Sequence, residues 1–212
     1  MGAQAQDHRP VALELVLALD SSASVDTKEF KLQLRGLARA FGDHDVSAAV
    51  ANLAPLGVAV SVIQWGGAGE TRLIIPFTVL GSKAEAIAFG LRIAHGRRRI
   101  RATDTSIATA IHDSQALLDK NDFDGQRSVI DISGDGPDNS GLDIEGARQS
   151  AKAAHITING LPIEADETTV TKYYREHVII GADAFVEPAK NFEDYARAIR
   201  AKLLRELLPL AS

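Results

Sequence analysis

The sequence predicts a three-layer α/β/α, Rossmann-like fold, in which helices cover both faces of a mostly parallel β-sheet that has one antiparallel edge strand. Short aliphatic runs alternate with stretches of helical periodicity along the 212 residues, a pattern typical of α/β proteins. The run VALELVLALD at 11–20 is almost continuously apolar, which indicates a central strand buried on both faces. A glycine-rich turn at 66–69 separates two further strand-like runs and predicts the antiparallel pair.

The first half of the chain gives one helix start with a clear capping signal. Asp26 and Glu29 have the spacing of a capping box, and apolar residues at helical spacing follow them. The elements expected next are a helix at 46–53, strands at 57–65 and 71–77, and helices at 82–94 and 106–118.

The second half continues the alternation of strands and helices. The apolar run SVIDIS at 128–133 predicts a strand that ends in a Gly-Asp-Gly turn. Asn191 is a favoured N-cap residue, and we expect it to begin the long final helix. The elements expected between them are a helix at 143–154, a strand at 156–163, a helix at 168–176 and a short edge strand at 184–186.

No linker, repeat or low-complexity tract interrupts this pattern. We therefore expect residues 1–9 to be a disordered N-terminal remnant and residues 10–210 to form a single domain. The segment Ala3-Gln4-Ala5 has the small-x-small pattern found at the end of secretory signal peptides. It predicts a processed chain located outside the cytoplasm, although an ordinary disordered terminus fits these three residues equally well.

Composition argues against several functional classes. The chain has 23 Lys and Arg residues against 28 Asp and Glu, a formal net charge of −5, which disfavours nucleic-acid binding. It has no Cys, which excludes disulfides, thiolate metal sites and cysteine nucleophiles. No segment is long and apolar enough to span a bilayer, so no stable membrane insertion is expected.

Oxygen-bearing side chains follow the first predicted strand. Asp20 ends the apolar run, and Ser22 and Ser24 come next in the pattern Asp-x-Ser-x-Ser. Open α/β sheets place their ligand sites at the carboxyl ends of the strands. A carboxylate and two hydroxyls at that edge form a hard ligand set that suits Mg²⁺ or Mn²⁺.

Two later loops complete this candidate site. Asp135 follows the strand at 128–133, and Thr105 lies in the polar loop before the helix at 106–118, where Thr103 is an alternative hydroxyl. Because hydroxyl ligands are neutral, a bound divalent cation would keep part of its charge and accept an outside carboxylate as a further ligand. The predicted metal ligands are Asp20, Ser22, Ser24, Thr105 and Asp135.

These segments resemble the von Willebrand factor A-type (vWA) domain and its metal-ion-dependent adhesion site (MIDAS). DSSAS at 20–24 matches the first motif, and TSIATAI at 105–111 has the spacing of the second, which Thr103 does not fit. SGDG at 133–136 matches the third, although the family more often has Thr before the Asp. The segments SGDGPDN, ITINGLPI and AFVEPAKNFEDYARAIRAKL are similar to a group of uncharacterised bacterial vWA-like proteins that typically carry signal peptides.

The resemblance implies a role in binding and no catalysis. It implies that Ser22, Ser24 and Thr105 touch the metal directly, while Asp20 and Asp135 act directly or through water. The metal would be Mg²⁺, or alternatively Mn²⁺ or Ca²⁺. The partner would be a protein or peptide that offers an acidic residue, and the location would be periplasmic or secreted.

Two alternatives stay open at this point. A haloacid-dehalogenase-like phosphohydrolase also begins with a strand that ends in Asp and has a later segment similar to GDGPDN at 134–139. That family needs a second carboxylate two residues after its nucleophilic Asp, where this chain has Ser22, and it has the reverse order of Asp138 and Asn139. The other alternative is a structural domain with a vestigial site, in which Asp20 only caps a turn.

The chain has one basic run, formed by Arg97, Arg98, Arg99 and Arg101. Such a run most often belongs to a solvated loop, which is the interpretation that the sequence favours. Because the run leads directly to Thr105, it also has a functional interpretation, in which it flanks the metal site and attracts an acidic partner.

Overall fold

The computed structural model of the protein describes residues 8–100, 102–164 and 169–208. Its elements in chain order are β1 (Arg9–Val11), β2 (Leu13–Asp20), α1 (Thr27–Gly42), α2 (His44–Asn52), β3 (Val58–Trp65), β4 (Thr71–Leu80), α3 (Lys83–Ala94), α4 (Ile107–Asp119), β5 (Phe123–Gly125), β6 (Ser128–Gly134), α5 (Ile144–Ala153), β7 (Ile156–Pro162), α6 (Thr169–His177) and α7 (Tyr195–Leu207).

The central sheet has five strands in the order β4-β3-β2-β6-β7. Strand β2 runs parallel to both of its neighbours, β3 and β6, and β6 runs parallel to β7. Strand β4 pairs antiparallel with β3 and forms one edge. This arrangement confirms the predicted mostly parallel sheet with one antiparallel edge strand.

Helices cover both faces of the sheet. All eight residues of β2 are buried, and alternate side chains enter opposite cores. Leu15 and Leu17 pack with α1, α2, α3 and α7, whereas Val16 and Ala18 pack with α4, α5 and α6. The three-layer α/β/α fold is therefore confirmed. No described helix has both the length and the apolar character needed to cross a membrane.

The structure has a second, small sheet that the sequence does not predict. Strands β1 and β5 pair in parallel, and the Arg9 N–H donates to the Asp122 carbonyl at 2.8 Å. Arg9 is thus held in a strand, although the sequence places it in the disordered range 1–9; residues 1–7 lie outside the described residues. The segments RPV and FDG are too short to show alternation, so the sequence gives no signal for either strand.

Two expectations near the C-terminus are wrong. The segment at 184–186 is not a regular strand, because Val186 makes only an isolated bridge to Gly160. The Phe185 N–H donates to the Asn159 side chain, whereas in a regular strand it would donate to a backbone carbonyl of the neighbouring strand. Helix α7 does not begin at Asn191. The Asn191 side chain accepts the Asp194 N–H at 2.9 Å and forms a turn that precedes the helix.

A buried ionic cluster joins α7 to the sheet. The Lys202 Nζ lies 3.1 Å from an Asp131 carboxylate oxygen and 2.6 Å from one of Glu206. Asn159 donates a further hydrogen bond to Glu206 at 3.0 Å. One ammonium group contacts both carboxylates. Glu206 lies closer to it than Asp131 does and also accepts the hydrogen bond from Asn159. Burial outweighs the attraction of Lys202 and raises the pKa of Asp131 to about 7.

Candidate metal-binding site

The carboxylates of Asp20 and Asp135 meet at one edge of the sheet. Because β2 and β6 are neighbours and parallel, Asp20 at the end of β2 lies beside Asp135, which directly follows β6. The Asp135 N–H donates to Asp20 Oδ2 at 3.4 Å. The Ser24 hydroxyl donates to Asp135 Oδ1 at 2.7 Å and so closes the cluster from the loop after β2.

The loop after β2 folds around the Asp20 carboxylate. The Ser22 N–H donates to Asp20 Oδ1 at 2.7 Å, which is the turn that an Asp-x-Ser sequence favours. The Ser22 and Ser24 hydroxyl oxygens lie 3.3 Å apart. Asp20 and Ser22 are fully buried, whereas Ser24 is exposed. Four of the five predicted side chains therefore form one hydrogen-bonded group that opens to solvent on the Ser24 side.

The fifth predicted residue, Thr105, is held in position by its backbone. Its N–H donates to the Asn139 side chain at 2.7 Å, and the Asn139 N–H donates to the Thr105 carbonyl at 3.0 Å. This pair joins the loop before α4 to the loop that carries Asp135. Thr105 is 6% exposed and Thr103 is exposed. Within the described residues, the Thr105 hydroxyl makes no hydrogen bond to the four side chains of the group.

Asp138 also positions the site, although the sequence assigns it no role there. Its carboxylate accepts the Ala108 N–H in the first turn of α4 at 3.0 Å and the Ser140 hydroxyl at 2.8 Å. A carboxylate at a helix N-terminus is stabilised by the helix dipole. The segment GDGPDN thus connects the Asp135 loop to α4. The acidic and amide residues that follow Asp135 closely were the sequence signal from which this positioning role could have been predicted.

The negative charges of the two carboxylates of the site lack a compensating positive charge among the described residues. Complete burial, together with the charge of Asp135, raises the pKa of Asp20 to about 7, and partial burial raises the pKa of Asp135. The pKa of Tyr174 is also raised, by burial first and then by the negative charges of Asp20 and Asp135. In the described part of the chain, neither carboxylate takes part in an ion pair.

The close approach around Asp20 depends on Gly134. A Cβ at this position would lie 2.8 Å from Asp20 Oδ2 and 2.6 Å from the Tyr174 hydroxyl. That hydroxyl is buried and has no hydrogen-bond partner among the described residues. An orphaned buried hydroxyl beside two carboxylates indicates a polar centre that protein groups alone do not complete.

The donor set fits a hard divalent cation. It offers two carboxylates and the hydroxyls of Ser22 and Ser24, and all of these are oxygen ligands. Across residues 8–100, 102–164 and 169–208, no three His, Cys, Asp or Glu side chains come together as a metal site. A cation held at this edge would therefore depend on hydroxyl oxygens.

Comparison with solved structures identifies the fold. The proximal thread matrix protein 1 of the mussel byssus matches with a TM-score of 0.65 and 14% identity, over 94% of this chain and 48% of that chain. Another structure of that mussel protein, with a zinc-occupied MIDAS motif, has a TM-score of 0.62 and 11% identity, over 93% and 46% of the two chains. The pilus adhesin SpaC from Lactobacillus rhamnosus GG matches with a TM-score of 0.61 and 14% identity, over 97% and 31%.

A von Willebrand factor type A protein from Catenulispora acidiphila matches with a TM-score of 0.60 and 12% identity, over 93% of this chain and 43% of that chain. The chain thus spans less than half the length of each of these proteins, and the low identities make fold the property that they share with it. The resemblance to vWA domains is confirmed at the level of the fold.

Sequence comparison gives the family. No curated protein matches the chain. The model of one family, described as "Protein of unknown function (DUF1194)", matches residues 10–211. The chain therefore belongs to the DUF1194 family, and its structure shows that this member has a vWA-type fold.

Proposed function

We propose that this protein is a divalent-metal-dependent binding domain that takes an acidic side chain of a partner protein or peptide as a ligand of the bound metal. The carrying observation is the hydrogen-bonded group of Asp20, Ser22, Ser24 and Asp135 at an exposed edge of the sheet. The zinc-occupied MIDAS motif of the mussel byssus protein supports metal binding at such a site.

Ser22, Ser24 and Thr105 would hold the metal directly, and Asp20 and Asp135 would hold it directly or through water. Mg²⁺ is the proposed cation, with Mn²⁺ and Ca²⁺ as alternatives, because every donor is a hard oxygen. When bound, the cation supplies the positive charge that receives the partner's carboxylate. The Ser24 side of the site is the exposed side, and we place the partner there.

The surroundings of Asp20 favour binding over phosphoryl transfer. Asp20 is 0% exposed, and its two carboxylate oxygens already accept the N–H groups of Ser22 and Asp135. A nucleophilic carboxylate must reach its substrate and needs a general acid nearby. The residue two positions after Asp20 is Ser22, which cannot supply that acid.

We further propose a periplasmic or secreted location.

Thermal melting with and without Mg²⁺, Mn²⁺ or Ca²⁺ tests metal binding. A ligand that binds only the folded state raises its stability, so millimolar metal should raise the melting temperature. Ser24→Ala and Asp135→Asn should remove most of this rise, whereas Asp119→Asn, an exposed carboxylate at the end of α4, should keep it. No rise in the intact chain would contradict an occupied site and favour the vestigial one.

Peptide binding and phosphatase assays test the rest of the proposal. A rhodamine-labelled peptide with one Asp among Gly and Ser residues should bind in Mg²⁺ and be released by EDTA. The matching Asn peptide should not bind. Turnover of a generic phosphate ester that is lost in Asp20→Ala would instead show a phosphohydrolase.

A further inference from the structure

A basic cavity of about 620 Å³ lies between the start of α1 and the loop at 96–100. Four cationic residues and two large apolar residues are among those that line it, namely Lys31, Arg97, Arg98, Arg99, Phe30 and Leu34. This concentration of positive charge contrasts with the formal net charge of −5 of the whole chain.

The loop at 96–100 is fixed in place, which differs from the plain solvated loop that the sequence favours. The buried Gln64 side chain of β3 donates to the Arg97 carbonyl at 3.0 Å and accepts the Arg99 N–H at 2.7 Å. Ile100 is 3% exposed and packs into the core. Because these contacts use the backbone of Arg97 and Arg99, both arginine side chains stay exposed for a ligand.

Arg98 joins the cavity to the proposed metal site. Its guanidinium donates to the Ser22 carbonyl at 2.9 Å and to the Ser21 carbonyl and hydroxyl at 3.2 Å each. These residues belong to the loop that carries Ser22 and Ser24. Arg98, which lines the cavity, is therefore in direct contact with the loop of the metal site, so that the cavity and the site are neighbours that one extended partner segment could reach.

The positive charges of Lys31, Arg97 and Arg99 are available for a ligand, whereas the Arg98 guanidinium is engaged by Ser21 and Ser22. None of the described residues that line it is acidic, and none of its four cationic side chains forms an ion pair within the described chain. The nearby N–H groups at the start of α1 are occupied, because Asp26 accepts those of Lys28 at 2.6 Å and Glu29 at 2.8 Å. An anion would thus be held by side chains and not by the helix terminus.

We infer that this cavity binds a second acidic side chain of the partner, next to the carboxylate that the metal receives. This inference rests on the proposed function and specifies the partner as a peptide segment with at least two carboxylates. Charge complementarity and the contact of Arg98 with the loop of the metal site support it. Two contacts on one segment strengthen binding because the second forms at a high effective concentration.

Two rhodamine-labelled peptides test the inference on the full chain, namely hexaglutamate and the peptide with one Asp among Gly and Ser residues. In Mg²⁺ and low salt, hexaglutamate should bind roughly tenfold more tightly than the single-acid peptide. The double variant Arg97→Ala with Arg99→Ala should remove most of that advantage and change the binding of the single-acid peptide by less than about twofold.

The matched control removes two charges outside the cavity. Arg35 and Arg39 are exposed on α1 and do not line the cavity, so Arg35→Ala with Arg39→Ala should leave the advantage of hexaglutamate nearly intact. Melting curves of both double variants check their folding. In EDTA, hexaglutamate should keep a weak binding that salt suppresses and that the Arg97, Arg99 variant loses.

Several results would overturn the inference. Equal losses in the two double variants would show an effect of net charge alone. Equal affinities for the two peptides, or no binding of hexaglutamate in EDTA at low salt, would exclude the cavity as a site even if the single-acid peptide still binds in Mg²⁺. If only the metal-dependent binding of the proposed function fails, the binding of hexaglutamate should no longer depend on Mg²⁺ but should persist in EDTA. A short single-stranded DNA that competes better than unlabelled hexaglutamate would assign the cavity to nucleic acid.

Discussion

Replacing Gly134 with Ala should damage both the stability of the protein and its proposed metal site. The added Cβ would lie 2.6 Å from the Tyr174 hydroxyl, 2.8 Å from Asp20 Oδ2 and 3.1 Å from Trp65 Cζ2. All three neighbours are completely buried, and Trp65 is further held by its indole N–H, which donates to the Ala18 carbonyl at 3.2 Å. No flexible surface group is available to move aside.

The expected magnitude follows from this crowding. Forcing one methyl group into a packed core costs about 1–3 kcal/mol of folding free energy. Gly134 has the three contacts above, so we expect the upper part of that range. Because the nearest carboxylate oxygen belongs to Asp20, the shift should also displace a predicted metal ligand and weaken metal binding.

Chemical denaturation and metal-dependent melting measure the two effects, and the chain offers a matched control two residues away. A Cβ at Gly136 would have no heavy atom within 4 Å outside its chain neighbours, so Gly136→Ala should change stability and the metal response little. The reasoning would be refuted if Gly134→Ala were as stable as Gly136→Ala, or if it kept the full melting shift with Mg²⁺.

Three further predictions concern buried charges. In the metal-free chain, stability should fall as pH rises from about 4 to 7, because folded Asp131 and Asp20, each with its pKa raised to about 7, keep protons that the unfolded chain loses. Asp131→Asn should reduce this slope in urea titrations and leave the part that Asp20 contributes, and an unchanged slope would contradict it. Lys202→Met should cost about 3–5 kcal/mol by leaving Asp131 and Glu206 without their cation, and a loss below about 1 kcal/mol would contradict this. Asp20→Asn should raise the melting temperature of the metal-free chain at pH 8 while abolishing its response to Mg²⁺, because it removes a buried charge whose pKa is raised to about 7; a lower melting temperature would count against this account.

The central sheet could be predicted because strands buried on both faces require nearly continuous aliphatic sequence. Strand β2 is buried at all eight positions, and six of its eight residues are aliphatic, with Glu14 and Asp20 as the exceptions. Strands β1 and β5 have three residues each, and their pairing depends on residues more than a hundred positions apart. No local pattern encodes such a contact, so short strands of this kind become visible only in the folded chain.

Much of the candidate site could be predicted for a related reason. Asp20 and Asp135 each end a recognisable strand, and parallel strands bring their carboxyl ends to the same edge. The order of strands in the sheet is not written in either segment, and only the fold shows that β2 and β6 are neighbours. The fixed basic loop escaped prediction because Gln64, which holds it, lies in a different element and looks like any polar residue at the end of a strand.

The buried Lys202 also constrains how the final helix can be aligned. A helix that packs through apolar side chains alone can slide by one turn, about 5.4 Å, and still meet apolar neighbours. Such a slide would carry the Lys202 ammonium away from Asp131, 3.1 Å distant, and leave Asp131 buried without its cation, while Glu206 of the same helix would move with Lys202. We therefore expect the ionic cluster to fix the register of α7 on the sheet and to disfavour shifted alignments during folding.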